Sequence, residues 1–297
     1  MRSLFLALGL VASLAAPAGA QDSRSVTFPP YLPANLPQWA QPRAAPPSQI
    51  PGTLRLPAGT GRVAAVIILH GSGGVDGRGE AYARALQQAG IASLEVDMFR
   101  PRGIGAGQGV ANRPRSADVL PDVYGAARFL AADPRVDPGR LGVMGMSYGG
   151  GLSILVATDG VRRAYGTGGP DFRAALPIYP ACWAYDAGGP AAALVNQAFP
   201  RMRMLILAGA DDDYDADGGA SCRKIAAAGN AQAQARAQVQ VFPGATHGWD
   251  TQRPANYRDP AAARGAGGMV RFQRNAAVAQ DGTQRVVAFF QAALTAR

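Results

Sequence analysis

A serine, an aspartate and a histidine, in that chain order and each just beyond an apolar run, are the residues of this sequence whose types and spacing could do chemistry. Ser147 sits in Gly145-Met146-Ser147-Tyr148-Gly149, a G-x-S-x-G pentapeptide between apolar Leu141–Met144 and helix-compatible Gly150–Thr158. On a tight strand-to-helix turn such a serine is pushed out of the backbone, and the flanking glycines let neighbouring backbone pass close by. A serine hydroxyl is a poor nucleophile until a base takes its proton and an acid holds that base. The sequence offers two histidines, His70 and His247. His247 comes shortly after Gln238–Phe242, which reads as the last strand, so it belongs at a strand's carboxyl end, where open parallel sheets place ligands. The acid should lie between serine and histidine, and Gly209-Ala210-Asp211-Asp212-Asp213 comes directly after Met204–Ala208. Asp212 is the preferred acid; Asp213 stays open, because a strand end does not settle the register to one residue.

The nucleophile also needs donors for the oxyanion that forms when it attacks a carbonyl. His70-Gly71-Ser72-Gly73-Gly74 follows Val63–Leu69. Backbone N–H groups of such a loop, here that of Ser72, together with that of Tyr148 after the nucleophile, are the candidate donors. Taken alone, the glycine-rich loop reads first as an ordinary tight strand-to-helix turn, and the other parts of the constellation favour the oxyanion reading.

These residues must be positioned by a sheet. Val63–Leu69, Ile91–Val96, Leu141–Met144, Ala174–Tyr179 and Met204–Ala208 are short, mostly apolar runs of the kind found in buried strands, and Gln238–Phe242 reads as the last strand. Helical patterns over Gly79–Gln88, Asp118–Ala132, Gly150–Thr158, Ser221–Ala228, Ala231–Ala237 and Asp281–Thr295 alternate with them. The alternation predicts an α/β domain with a mainly parallel central sheet and helices on both faces. Gly103–Gly109 reads as a flexible loop and Gln252–Met269 as a surface loop or insertion.

The 297 residues, 48% of them hydrophobic, suffice for one sizeable core. Met1-Arg2, apolar Leu4–Ala16 and Ala18-Gly19-Ala20 read as a secretory signal peptide over residues 1–20. The mature protein is then expected in the periplasm or secreted, with no later run apolar enough to cross a bilayer. Residues 21–58 form a proline-rich arm, with a short strand expected at Thr53–Leu56, and residues 59–297 the folded domain. Export makes a disulfide between Cys182 and Cys222 the first expectation, two buried thiols being the alternative. The net charge of +9 comes from scattered arginines without a basic block or interleaved aromatics, which reads as a solvated basic surface rather than a nucleic-acid site. Asp213-Tyr214-Asp215-Ala216-Asp217-Gly218 matches the first half of a calcium loop, but Lys224 stands where the bidentate glutamate belongs, so a solvated acidic turn is expected. Cysteine and histidine spacing gives no zinc site. Tyr148, Tyr179, Trp183 and Trp249 are candidates to line a pocket for an apolar acyl or alcohol group.

Val66–Gly74, Gly145–Gly150, Gly209–Asp213 and Phe242–Trp249, in this order and on these elements, resemble the dienelactone hydrolase family of α/β-hydrolases. Asp97–Gly103 and Tyr179–Cys182 look like family segments as well. The resemblance runs from about Arg62 to the C-terminus and implies the α/β-hydrolase fold. It also implies a Ser147–Asp212–His247 triad, oxyanion amides at Ser72 and Tyr148, and Arg102 in the place of a residue that contacts an acidic substrate. Two departures stand out. The namesake enzymes use a cysteine nucleophile, here Ser147, and carry a glutamate after the first-loop histidine, here Gly71. The resemblance with these departures leads to an expectation of a serine hydrolase for small-molecule carboxylic esters or related acyl compounds, needing no metal or organic cofactor. A small peptidase of the same fold and a non-catalytic exported binding protein are the rival readings.

Overall fold

Alternate residues of Val63–Leu69 (β3) face opposite sides of the central sheet, and both sides are buried. Ala65, Ile67 and Leu69 join one core cluster, and Val66 and Ile68 join the other. That double burial is why the strand is written as an unbroken apolar run. The computed structural model describes residues 22–186, 202–262 and 266–295; the signal-peptide expectation for residues 1–20 lies outside them.

The strands are β1 (Asp22–Phe28), β2 (Ile50–Leu56), β3, β4 (Ala92–Val96), β5 (Val136–Met146), β6 (Phe172–Ile178), β7 (Arg203–Gly209), β8 (Ala237–Phe242), β9 (Ala255–Arg258) and β10 (Met269–Phe272). The first eight form one sheet in the order β1-β2-β4-β3-β5-β6-β7-β8; β9 and β10 form a separate ribbon. From β4 to β8 all neighbours are parallel, whereas β1 and β2 add antiparallel strands at one edge. Among the described residues, the helices are α1 (Arg78–Gln88), α2 (Ser116–Ala132), α3 (Tyr148–Val156), α4 (Asp159–Tyr165), α5 (Trp183–Asp186), α6 (Ala220–Ala226), α7 (Ala231–Gln234) and α8 (Ala276–Thr295). Apolar residues of α1 and α8 pack on one face of the sheet, and those of α2, α3 and α4 on the other. No described helix is long and apolar enough to cross a membrane.

The parallel register aligns the strand ends that matter. Leu69 pairs with Gly145, Met146 with Ile178, and Gly209 with Phe242. The segments starting at His70, Ser147, Tyr179, Ala210 and Pro243 therefore leave the sheet along a single edge.

Three expectations change. The arm expected over 21–58 contains β1 and a β2 that starts at Ile50, not Thr53. Val26 and Phe28 alternate with polar residues, the pattern of an edge strand with one wet face, and Phe28 stacks on Phe129. Beyond it the arm lies across α2. Tyr31 N–H donates to Pro121 O, and a side chain at Gly125 would collide with Pro29 O. Gln252–Met269, read as a surface loop or insertion, carries β9, and β10 begins at its last residue, Met269. The acidic turn is not solvated, since Asp213 and Asp215 are buried.

Candidate active site

Ser147 occupies the turn between β5 and α3 with φ 52 and ψ −111, a conformation that L-residues reach only under strain. Its N–H donates to Ile178 O at 2.9 Å, and its carbonyl accepts from Gly151 N–H at 3.0 Å. The strained turn is held from both sides. The two glycines of the pentapeptide are required by close approach. A Cβ on Gly145 would lie 2.3 Å from Gly149 O, and one on Gly149 would lie 2.2 Å from Leu69 O.

His247 Nε2 is 2.8 Å from Ser147 Oγ, and His247 Nδ1 is 2.8 Å from Asp212 Oδ2. The second oxygen of Asp212 accepts the Tyr214 N–H at 2.9 Å. Both His247 and Asp212 are buried, so their bond is shielded from water. With the Nδ1 proton donated to Asp212, Nε2 is left to accept from the serine. Asp213, the other acid considered, turns to Arg271, which gives it a backbone N–H at 2.7 Å and guanidinium bonds from Nε and NH2. Burial pushes the Asp213 carboxyl up, but the bonds from Arg271 outweigh it and hold the group below the usual carboxylate range.

The first loop is a turn closed by Gly74 N–H to Gly71 O at 3.1 Å. Gly71 O also accepts from His70 Nδ1 at 2.8 Å, while His70 Nε2 accepts the Met98 N–H at 3.1 Å. Burial holds His70 below the ordinary histidine value, with the Gly71 bond pulling the other way. The ring is therefore the neutral tautomer with its proton on Nδ1. In a trans peptide the N–H points opposite to the C=O. Fixing Gly71 O inward thus aims the Ser72 N–H outward from the turn. A Cβ on Gly71 would come within 3.4 Å of Ser147 Cβ, so this turn lies beside the nucleophile. The Tyr148 N–H, first of α3, has no intrahelical acceptor, and the Tyr148 side chain is anchored through its hydroxyl to Pro114 O at 2.9 Å.

Beneath His247 lies a buried polar network. The Tyr179 ring meets the imidazole edge-on at 5.1 Å. Its hydroxyl donates to Asp250 at 2.7 Å and accepts from Arg78 at 3.1 Å, and Tyr82 donates to the other oxygen of Asp250 at 2.7 Å. Burial pushes both phenols well above their ordinary range, so they act as neutral donors.

Two of the expected substrate contacts are corrected. Arg102 bonds through NH1 to Asp122 and Met98 O and through NH2 to Asp122 and Asp118 O, which occupies both terminal nitrogens. Trp249 is fully buried in the core against Tyr179 and Phe242. Trp183 is half-buried and packs on a small cluster containing Tyr214; the Tyr214 ring centroid is 4.4 Å from that of His247. Cys182 and Cys222 form a disulfide, so their thiolates are not available to a metal beside buried Asp215. Asp217 caps α6 through Gly219, Ala220 and Ser221, and the three acids of the calcium-like pattern therefore diverge. Tyr214, Arg113, Asp259 and Arg78 were missed in the sequence, which carries no local signal for them.

An α/β sheet with a serine on a strained elbow, hydrogen-bonded through histidine to a buried aspartate, defines the architecture of the α/β-hydrolases. The chain belongs to the dienelactone hydrolase family, whose model matches residues 50–294, and it is accordingly a hydrolase. A structure from Klebsiella pneumoniae subsp. pneumoniae MGH 78578 assigned to the dienelactone hydrolases is similar to it, with 19% identity over 92% of this chain and 99% of that one and a TM-score of 0.62. An esterase from the archaeon Pyrobaculum calidifontis matches with 16% identity, 94% and 88% coverage and a TM-score of 0.57. Thermogutta terrifontis esterase 2 phosphorylated by paraoxon matches with 19% identity, 84% and 91% coverage and a TM-score of 0.58. At these identities the likeness is one of fold. No curated protein sequence matches the chain.

Proposed function

We propose that the protein is an exported serine hydrolase that cleaves carboxylic esters or related small acyl compounds through an acyl-enzyme. The observation that carries this reading is the unbroken chain Ser147 Oγ–His247–Asp212, with both bonds at 2.8 Å. Ser147 passes its proton to His247 Nε2 as its oxygen bonds the substrate carbonyl carbon. Asp212 holds the imidazole in the working tautomer and stabilises the imidazolium. The Ser72 and Tyr148 N–H groups receive the oxyanion; one such donor is worth about 10²–10³ in turnover. The intermediate collapses, and His247 returns the proton to the departing alcohol. A water then gives a proton to His247 and attacks the acyl group, releasing acid and regenerating Ser147.

A similar fold in an esterase that paraoxon phosphorylates supports serine-type acyl chemistry. The disulfide and the N-terminal sequence support export. The absence of a cysteine nucleophile and of the first-loop glutamate turns the reading away from dienelactone itself.

Labelling with a fluorophosphonate probe and turnover of a p-nitrophenyl ester series test the proposal, with Ser147→Ala alongside. Labelling and hydrolysis that vanish in Ser147→Ala are expected. A wild-type protein that neither labels nor hydrolyses any ester in the series overturns it.

A further inference from the structure

We infer that Asp259 is a positioning residue that ties the acid–base pair to the oxyanion turn. The inference rests on the triad reading above. Asp259 directly follows β9, in the insertion whose ribbon lies beside the site, and it is 1% exposed. A carboxylate so deeply buried must be paired and hydrogen-bonded. Its oxygens accept from Tyr214 Oη at 2.6 Å, from Arg113 NH2 at 3.0 and 3.2 Å, and from Ala261 N–H at 2.9 Å. Its own N–H donates to Gly268 O at 2.8 Å across the turn of the insertion.

The destinations of two of these bonds matter. Tyr214 gives its N–H to Asp212 Oδ1, and its ring lies against the imidazole of His247. A shift of the Tyr214 hydroxyl therefore moves both a hydrogen bond to the acid and a packing surface of the base. Arg113 reaches the other way. Its NH1 points to Ser72 Oγ at 3.4 Å, on the residue whose N–H is aimed from the oxyanion turn. Among the described residues, Asp259 is the group bonded to both Tyr214 and Arg113. Burial pushes its carboxyl up, yet the bonds from Tyr214, Ala261 and Arg113 together hold it below the usual carboxylate range. It is therefore ionised and accepts from all its donors at neutral pH.

The ribbon does not need Asp259 for attachment. Arg271 of β10 already binds Asp213 through its backbone and guanidinium, and Phe272 bridges to His247. Those contacts fasten the insertion to the acid loop and to the histidine loop. What Asp259 adds is a link from Tyr214 to Arg113, between the proton-transfer half and the oxyanion half of the site. Small misplacements in such a site cost turnover more than binding.

The test uses the full mature chain with p-nitrophenyl acetate and compares Asp259→Asn, Tyr214→Phe and the double variant. Asp259→Asn is expected to lower kcat about 10–100-fold with KM within about twofold, the signature of a transition-state loss without a binding loss. Tyr214→Phe keeps the ring and the N–H, removes the hydroxyl, and is expected to lower kcat in the same way by about threefold to tenfold. Because both act on one link, the double variant should fall no further than Asp259→Asn alone. Unchanged kcat in both singles, with only a lower unfolding midpoint, overturns the inference and leaves a fastening of the ribbon. A raised KM at constant kcat also overturns it. Should Asp259→Asn not fold, Tyr214→Phe decides alone, by the same split. If the wild-type protein proves to have no Ser147-dependent turnover, the hydrolase reading has failed, and the link is read from the proton NMR signal of the His247 Nδ1–H···Asp212 bond. Broadening of that signal in Tyr214→Phe supports the inference, and an unchanged signal overturns it.

Discussion

The carboxylate of Asp212 faces His247 Nδ1 at 2.8 Å, whereas that of its neighbour Asp213 faces Arg271 NH2 at 2.8 Å on the ribbon side. Adjacent acids thus serve different partners. Asp212→Asn should lower kcat on p-nitrophenyl esters by about 10³–10⁴, because an amide favours the wrong imidazole tautomer. Asp213→Asn keeps the Ser147–His247–Asp212 bonds and should cost less than about tenfold, a modest distortion. Steady-state kinetics on the two variants check this. Equal losses would break the assignment.

The elbow tolerates no side chain at Gly149, where a Cβ would sit 2.2 Å from the Leu69 carbonyl oxygen. That neighbour is backbone of a central strand and cannot swing aside. Gly149→Ala should destabilise by about 1–3 kcal/mol or more and displace Ser147 from His247. Denaturant unfolding, with probe labelling of the folded fraction, reads both effects. A fully active, equally stable Gly149→Ala would show the elbow to be looser than its geometry.

Arg102 and Asp122 form a buried pair, with bonds at 2.7 and 3.0 Å and Asp122 wholly inaccessible. Removing one partner strands the other, which typically costs about 3–5 kcal/mol. Arg102→Gln should therefore lower stability while leaving the preference between neutral and acid-bearing acyl esters unchanged. Ratios of kcat/KM across such an ester pair check it. A selective loss on the acidic ester would restore Arg102 as a substrate contact.

Glu95 on β4 has a buried oxygen without a hydrogen-bond partner, packed against Gly79 in the first turn of α1. Burial, with Asp76 and Glu80 adding to it, pushes its carboxyl up to about 7 from an ordinary 4.5, against the opposing charge of Arg55. Between those values the folded chain holds a proton that the unfolded chain has released, so stability falls as pH rises through the window. The loss from this group is on the order of 1–3 kcal/mol. Glu95→Gln should match wild type near pH 4.5 and exceed it at pH 8. Asp215 and Asp122, raised to about 7 and about 6 by burial, tilt both proteins alike. Urea unfolding at the two pH values gives the difference. A variant less stable at pH 8 would mean that Glu95 is ionised and satisfied when folded.

The site was legible to different depths. The Gly145–Gly149 pentapeptide was readable because the steric demand of the turn is local. The succession of serine, acid and histidine was readable because each follows a strand whose apolar run marks its end. Whether Asp212 or Asp213 faces the histidine depends on a single peptide's rotation at the end of β7. The family resemblance gives Arg102 a substrate contact, and nothing local to it shows Asp122, 20 residues away on a helix; Trp249 looked like a pocket wall because α8, which packs on it, comes at the end of the chain. β1, β9 and β10 escaped notice because strands with a wet face or few residues lack a continuous apolar run.

The sequence by itself determined the parallel α/β sheet and the elbow serine, since burial on two faces and a glycine-dependent turn are written in consecutive residues. Only the tertiary structure decided which aspartate meets His247, that Arg102 is spent on Asp122, and that Asp259 joins Tyr214 to Arg113. Those pairings join residues far apart in the chain, and their geometry exists only after the strand ends have come into register.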